Sequence, residues 1–439
     1  MSYQETVDWL SRQLPMYQRE GKTAFRKDLS NIRALLDALD HPEKKFRSLH
    51  VGGTNGKGSI VHMLAAILQE SGYKTGIYSS PHLRDFRERV KINGIWMPES
   101  FVCEFVKKIK EQIDQIRPSF FEITVAMAFE YFAREQVDVA IIEVGLGGRL
   151  DSTNVIAPLL SIISNVSLEH QDMLGSEIGK IAFEKAGIIK KNTPVVIGRH
   201  HPESDPVFRQ KANEMSAVLY FAEDAYQARV IRHEIDSLEL SVKNLMRTCS
   251  KNYILPGGAF YQQENLLSVL KAIDLIRTAF PAIHEENIQR GISRFKEITS
   301  FEGRWQILKS SAPKILADAA HNGDALNYIF SQLRTLPVKQ LHCVMGTVTG
   351  KDLDAFFESL DPNAHYYFAR PAVPRGLDAD LLTDIAQKKG MKAYSFNNAN
   401  EAYEAALQAA TKEDLIFVGG SIFLLSDIFR QFEKESESS

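Results

Sequence analysis

Cysteine is scarce in this chain: Cys103, Cys249 and Cys343 are the three in 439 residues, far apart and without paired spacing. That scarcity excludes a disulfide framework or a cysteine metal site and fits reduced thiols in a cytoplasmic protein. Unbalanced charge is also missing. Lys and Arg number 52 against 55 Asp and Glu, a formal net charge of −3. No electrostatic field therefore favours nucleic acid or an anionic membrane as the main partner. Long hydrophobic runs are absent too; the longest notable stretch, Val155 to Ile163, is interrupted by Pro158 and is too short to cross a bilayer. The start Met1-Ser2-Tyr3-Gln4-Glu5 has neither the basic cluster nor the apolar run of a signal peptide. No short repeat, low-complexity tract or coiled-coil heptad stands out.

What the chain does have is regular alternation. A length of 439 residues accommodates two or three domains with their own cores. Apolar runs read as strands at 47–51, 74–79, 138–143, 159–163 and 194–197, with helical patterns between them at 99–116 and 119–134. Such alternation predicts a doubly wound, mostly parallel sheet covered on both faces. Residues 217–255 alternate with period two and predict a small antiparallel patch beside it. A second series begins near residue 305, with strands expected at 314–318, 341–345, 365–369, 392–396 and 414–418. The stretch Ser293 to Gly303 has few periodic apolar residues and reads as a linker, so the expected domains are 1–296 and 297–439.

The most informative stretch is Leu49-His50-Val51-Gly52-Gly53-Thr54-Asn55-Gly56-Lys57-Gly58-Ser59. It reads as a buried strand, a glycine-rich turn, then a lysine and a hydroxyl opening a helix. Glycines let backbone N–H groups close on phosphate oxygens, Lys57 can reach the terminal phosphates, and Ser59 can offer a hydroxyl to Mg²⁺. The helix N-terminus adds partial positive charge aimed at the same anion. Ile60, Val61, Met63, Leu64, Ile67 and Leu68 follow at the spacing of one buried helix face. The strict phosphate-loop pattern is not met, because Val51 stands at the first glycine position and Gly58 separates Lys57 from Ser59. On spacing alone, a plain glycine turn between strand and helix competes.

Other polar residues fall at strand ends, where open α/β sheets bind ligands. Glu143 ends the apolar run Asp138–Ile142 and precedes a second glycine-rich turn, Val144 to Arg149. Beside a phosphate loop, such an acid holds Mg²⁺ directly or through water. Ser80 lies in Tyr78-Ser79-Ser80-Pro81-His82-Leu83, which equally reads as a Ser-Pro turn. His170 closes Asn165-Val166-Ser167-Leu168-Glu169-His170, where a hydrogen-bonded surface histidine is the bland alternative. Lys185, in Phe183-Glu184-Lys185-Ala186-Gly187, would also suit a helix C-terminus by charge alone.

Read in order, GGTNGKGS, YSSPHL, FFEITVAMAF, EVGLGGRLDSTN, LEHQDMLG and FEKAGIIK resemble the dihydrofolate synthase/folylpolyglutamate synthase family of the Mur-ligase superfamily. The resemblance runs from about residue 20 to about 430 and includes Phe301-Glu302-Gly303-Arg304, Asp318-Ala319-Ala320-His321-Asn322 and Gly419-Gly420-Ser421. It implies a P-loop-like ATP-binding domain followed by a Rossmann-like glutamate ligase domain. The implied reaction joins L-glutamate to dihydropteroate, to a reduced folate, or to both in turn. The pteridine substrate's carboxylate attacks the γ-phosphorus of ATP, and the glutamate amine then attacks the acyl phosphate.

The same resemblance implies the roles. Gly53, Thr54, Asn55, Gly56, Lys57, Gly58 and Ser59 would cradle phosphate, with Asn265, Arg304 and Asp318 as further ATP contacts. Ser80 and Glu143 would hold a first Mg²⁺ and His170 a second. Lys185 matches a lysine carried as an N-carbamate (N6-carboxylysine), which would make it an oxygen ligand. His321 would help position glutamate. Phe120, Phe121 and Thr124 would line the pteridine pocket, although aromatics at helical spacing are core residues by default. A monomer is expected.

Departures from the family pattern are Tyr261 before Gln262, Ala319 after Asp318, Glu169 before His170, and the turn Thr349-Gly350-Lys351-Asp352. A cell-wall Mur ligase would share this chemistry but carries a uridine-nucleotide domain before its phosphate loop, where about 50 residues are too few for one. A nucleotide-dependent switch would need the phosphate loop but neither the second metal nor the amino-acid site.

Overall fold

The computed structural model describes residues 1–14, 28–247 and 249–437. It contains two compact units. The first comprises Met1–Arg232, Glu239–Pro256 and Tyr261–Phe301; the second comprises His233–Leu238, Gly257–Phe260 and Glu302–Ser439.

The first unit is built on an eight-stranded sheet in the order β4-β3-β2-β5-β1-β6-β7-β8. Its strands are β1 Arg47–Gly52, β2 Thr75–Tyr78, β3 Val90–Ile92, β4 Ile95–Trp96, β5 Val139–Glu143, β6 Leu160–Ile163, β7 Val195–Ile197 and β8 Leu219–Phe221. The pairs β1/β5, β1/β6, β2/β5, β6/β7 and β7/β8 are parallel, while β2/β3 and β3/β4 are antiparallel. Every residue of β5 is buried, as expected of a parallel strand covered on both faces. Neighbours of β1 are β5 on one side and β6 on the other, so strand order reverses there, at the position where such sheets bind ligands.

The helix Lys57–Glu70 leaves β1 and is more deeply buried than an amphipathic helix. All its residues from Ser59 to Leu68 are buried, so the single buried face expected from spacing is in fact a buried cylinder. It packs against helices Gln262–Ile276 and Glu285–Ile298. A Cβ on Gly291 would come within 2.7 Å of the Ile67 Cα, so glycine there permits close helix contact.

Several local expectations are corrected. The 99–116 helix is two, Glu99–Lys108 and Lys110–Ile116. The reading of Ser293–Gly303 as linker fails in its first half, because Glu285–Ile298 is helical with Ile288, Ile292 and Phe295 buried. Period-two alternation at 217–255 resolves into β8 and a separate three-stranded sheet, β9 Tyr226–His233, β10 Ser237–Asn244 and β11 Cys249–Pro256.

The second unit has a six-stranded sheet in the order β12-β13-β17-β14-β15-β16. Its strands are β12 Gln306–Lys309, β13 Lys314–Ala317, β14 Leu341–Met345, β15 His365–Ala369, β16 Lys392–Phe396 and β17 Leu415–Gly419. All neighbours are parallel except the edge pair β12/β13. Asp318 therefore stands at the carboxyl end of β13.

Candidate active site

Where β1 ends, the chain turns through Gly53 at φ +129° and Gly56 at φ +87°. Both lie in the region favourable to glycine. A Cβ on Gly53 would collide with Ser164, and one on Gly56 with the Asn265 side chain. The loop is held from the β6 side. Thr54 N–H donates to the Asn165 carbonyl at 2.9 Å and Asn55 N–H to Asn165 Oδ1 at 2.9 Å. The Ser164 hydroxyl donates to the Asn55 carbonyl. Lys57 Nζ lies back over its own loop, donating to the Gly53 and Thr54 carbonyls at 3.2 and 2.9 Å. A cation stored this way is within a side-chain rotation of an anion bound to the turn.

Ser59, buried, accepts from Gln262 Nε2 at 3.1 Å, and Asn265 Nδ2 donates to Gln262 Oε1 at 2.8 Å. The helix Gln262–Ile276 thus braces the glycine turn directly. Gln262, Ser164 and Asn165 were not selected from the sequence. Their signal is weak, since buried amides and hydroxyls at element ends are common.

Glu143 ends β5 at 5% exposure. One of its oxygens accepts from the Ser80 backbone N–H at 3.3 Å and would lie 3.8 Å from a Cβ on Gly58. Ser80, Glu143 and the glycine turn are therefore neighbours. Mg²⁺ takes oxygen ligands and keeps waters and phosphates, so a buried carboxylate beside a hydroxyl residue suits it. No group of three or more His, Cys, Asp or Glu poised for a metal occurs among the described residues.

The turn after Glu143 is fixed by Asp151. Its Oδ2 accepts from Gly145 and Leu146 N–H at 3.0 and 2.9 Å, and Oδ1 accepts from Thr153 N–H at 3.0 Å. The Thr153 hydroxyl meets His50 Nε2 at 2.9 Å in the centre of the sheet. Burial pushes the Asp151 carboxyl up and these hydrogen bonds pull it back.

Lys185 lies in the helix Ile178–Ala186 at 2% exposure. Its amine is pushed down to about 7, first by burial and then by the Lys57 cation, with Glu169 opposing. Lys185 stands in the last turn of that helix, where the dipole favours the charged amine against the burial. His170 has left-handed φ/ψ of 48° and 43°, and its Nε2 lies 3.6 Å from Glu169 Oε1.

The residues expected to line a pteridine pocket separate by burial. Phe120 and Thr124 are core, at 3% and 1% exposure, and the Thr124 hydroxyl donates to the Phe120 carbonyl at 2.7 Å. Phe121 is half-buried, packing on Gly145 and, edge-on at 6.2 Å, on Tyr78.

In the second unit, Asp318 is 1% exposed, and its two oxygens accept from Trp305 and Ala320 N–H at 2.7 and 2.8 Å. Arg304 donates to the Gly303 carbonyl at 3.0 Å, and His321 Nδ1 lies 3.0 Å from the Ala319 carbonyl. Asn322 caps the helix Gly323–Leu333.

The Mur ligase middle domain matches residues 51–272, and the glutamate ligase domain of Mur ligases matches residues 303–422. The Bacillus subtilis dihydrofolate synthase/folylpolyglutamate synthase is 32% identical over 445 residues, spanning 98% of this chain and 99% of that protein. Its Escherichia coli namesake is 31% identical over 383 residues, 86% and 85% of the two chains. The crystal structure of Thermotoga maritima folylpolyglutamate synthase aligns with TM-score 0.82 at 29% identity, covering 99% and 97%. The E. coli FolC structure in complex with DHPP and ADP aligns with TM-score 0.82 at 28% identity, covering 98% of each chain. With both Mur ligase domains present and relatives matched along nearly their full length, the chain belongs to the dihydrofolate synthase/folylpolyglutamate synthase family of ATP-dependent ligases.

Proposed function

We propose that this protein joins L-glutamate by an amide bond to dihydropteroate, to the terminal glutamate of a reduced folate, or to both, consuming ATP and releasing ADP and phosphate. One observation carries the reading. The glycine turn, Lys57, Ser80 and Glu143 meet at the switch point of one sheet, beside a buried lysine whose amine is depressed.

Phosphoryl transfer requires positioning and charge stabilisation more than covalent work by the protein. Backbone N–H groups where the helix opens, residues 56–59, receive the phosphates, while those of Thr54 and Asn55 hold the turn to Asn165. Lys57 leaves the Gly53 and Thr54 carbonyls to follow the charge moving onto the γ-phosphoryl group. The substrate carboxylate attacks phosphorus, ADP leaves, and the glutamate amine displaces phosphate from the acyl phosphate.

Ser80 and Glu143 are the proposed holders of one Mg²⁺; His170 and Lys185 serve a second. Bound there, the ions would neutralise phosphate charge. A neutral amine reacts with CO₂ to give a carbamate and a proton, so a lysine depressed to about 7 and buried beside Lys57 is suited to carboxylation. Asn265, Arg304 and Asp318 are assigned to ATP and His321 to glutamate. Phe121 supplies the accessible aromatic wall of the pteridine pocket, with Phe120 and Thr124 shaping it from behind. The ATP-binding domain is taken as residues 1–296 and the glutamate ligase domain as 297–439. The protein is assigned to the cytoplasm as a monomer. No helix among the described residues is long and apolar enough to cross a membrane.

The test is phosphate release from ATP and Mg²⁺ with L-glutamate and either dihydropteroate or a tetrahydrofolate. Release that requires both acceptor and glutamate supports the ligase, and initial rates with the two acceptors decide which is used. ATP turnover indifferent to both contradicts it.

A further inference from the structure

The segment Ser79–Arg89 links two parts of the proposed site. At one end Ser80 N–H donates to Glu143 at 3.3 Å. At the other, Phe86 packs edge-on against Phe120 at 5.8 Å, and the Arg89 guanidinium lies 5.5 Å from the centre of the same ring. This stretch therefore forms a wall shared by the metal carboxylate and the pteridine side. It contains little regular structure, only the single turn Phe86–Arg89, so something else must fix its path.

That something is Glu88. Its carboxylate accepts three consecutive backbone N–H groups: Leu83 at 2.7 Å on one oxygen, Arg84 and Asp85 at 2.8 Å each on the other. Hydrogen bonds to an ionised acceptor are about twice as strong as neutral ones. Asp85 extends the brace: it accepts from Arg87 N–H at 2.8 Å, from Arg87 Nε at 2.9 Å, and from the Tyr3 hydroxyl at 2.6 Å. Arg87 lies over the Tyr3 ring at 5.0 Å and pairs with Glu99 at 3.1 Å. Arg89 Nε donates to His82 Nδ1 at 2.7 Å, which orients that imidazole as well. A helix at the start of the chain, Tyr3–Gln13, is thereby hydrogen-bonded to the segment that carries Ser80.

We propose that Glu88 is a positioning residue for pteridine binding, setting the shape of residues 80–86, and that Tyr3 braces it through Asp85. The proposal rests on the ligase reading above and on the pocket lying against Phe120 and Phe121.

The experiment uses the full-length enzyme with the acceptor that the unsubstituted protein turns over. Glu88→Gln keeps size but leaves one acceptor oxygen for three N–H groups. Tyr3→Phe is the milder variant, removing one hydroxyl from a site that stays folded. The expected result is an acceptor KM raised about tenfold in Glu88→Gln and about threefold in Tyr3→Phe, the size of one or two lost hydrogen bonds. The ATP KM should stay within about twofold, which a general loosening of the fold would not spare. An unchanged acceptor KM in both variants, or equal rises for acceptor and ATP, overturns the proposal. An unsubstituted enzyme whose phosphate release ignores the acceptor overturns the ligase reading instead, and this inference with it.

Discussion

The Asn265 side-chain amide occupies the space that a Cβ on Gly56 would need. The contact joins the glycine turn to the helix Gln262–Ile276, and it makes position 56 intolerant for two separate reasons. An alanine would adopt φ near +87°, a strain of about 1–2 kcal/mol for a residue with a Cβ. It would also push Asn265 away from Gln262 and so disturb Ser59. Gly56→Ala should lower kcat/KM for ATP by at least about a hundredfold, equivalent to about 2.7 kcal/mol, while circular dichroism shows an unchanged fold. Near-normal ATP kinetics would separate the turn from phosphate binding.

Lys57 is held by hydrogen bonds to loop carbonyls, not by core packing. Lys57→Ala should therefore abolish turnover while shifting the melting midpoint little, by about 2 °C or less, as surface changes do. It should also raise the Lys185 pKa by removing the neighbouring cation. Retained turnover with a normal KM for ATP would contradict the phosphate-loop assignment.

Part of this arrangement is legible because it is written in contiguous residues. A glycine turn before Lys57 and an acid after a buried strand can be read along the chain. Asp151, Asn165 and Glu88 could not, since each works by accepting from backbone N–H groups whose proximity only the fold creates. Helix Glu285–Ile298 was partly misread for a related reason: its buried stripe is Ile288, Gly291, Ile292 and Phe295, three apolar side chains and a glycine among charged neighbours. The short strands β3, β4 and β12, at or next to sheet edges, also escaped, having two to four residues each and no period to detect. At Thr124 the sequence does not show that the hydroxyl donates to the Phe120 carbonyl of its own helix.

The lysine at position 185 gives a pH prediction with a definite sign. Its folded amine titrates near 7, below the ordinary 10.5 of the unfolded chain. In carbonate-free buffer the unfolded state binds the extra proton between those values, so stability from this group rises with pH there and is lower below 7. Carboxylation requires the neutral amine, so bicarbonate should stimulate activity more at pH 8 than at pH 6. Lys185→Ala should lose activity and recover part of it with formate or acetate. Mass spectrometry that never detects the added carboxyl group, together with no rescue, would refute the carbamate.

His50 predicts acid sensitivity of the core. It sits fully buried in β1, and burial pushes its imidazole down to about 3, with the Lys190 cation adding to the effect. The unfolded chain takes up a proton near 6.5 and the folded protein does not until about 3. Stability should thus fall as pH drops through that window, by up to about 1.4 kcal/mol per pH unit. His50→Gln should flatten the dependence in urea titrations between pH 6.5 and 4, and an identical slope in both proteins would show that other groups dominate.

Gly291 tests the helix contact beneath the phosphate loop. A methyl group there would meet the Ile67 Cα and N, each 2.7 Å away, and both are backbone atoms that cannot swing aside. Alanine favours helix by up to about 1 kcal/mol over glycine, so an uncrowded site would be stabilised by Gly291→Ala. Overpacking against backbone costs typically about 1–3 kcal/mol, and here it should outweigh that gain. Because Ile67 belongs to the helix that begins at Lys57, the displacement should reach the phosphate turn and raise the KM for ATP along with lowering the midpoint of urea unfolding. A variant with a higher midpoint would mean that the two helices have room to spare.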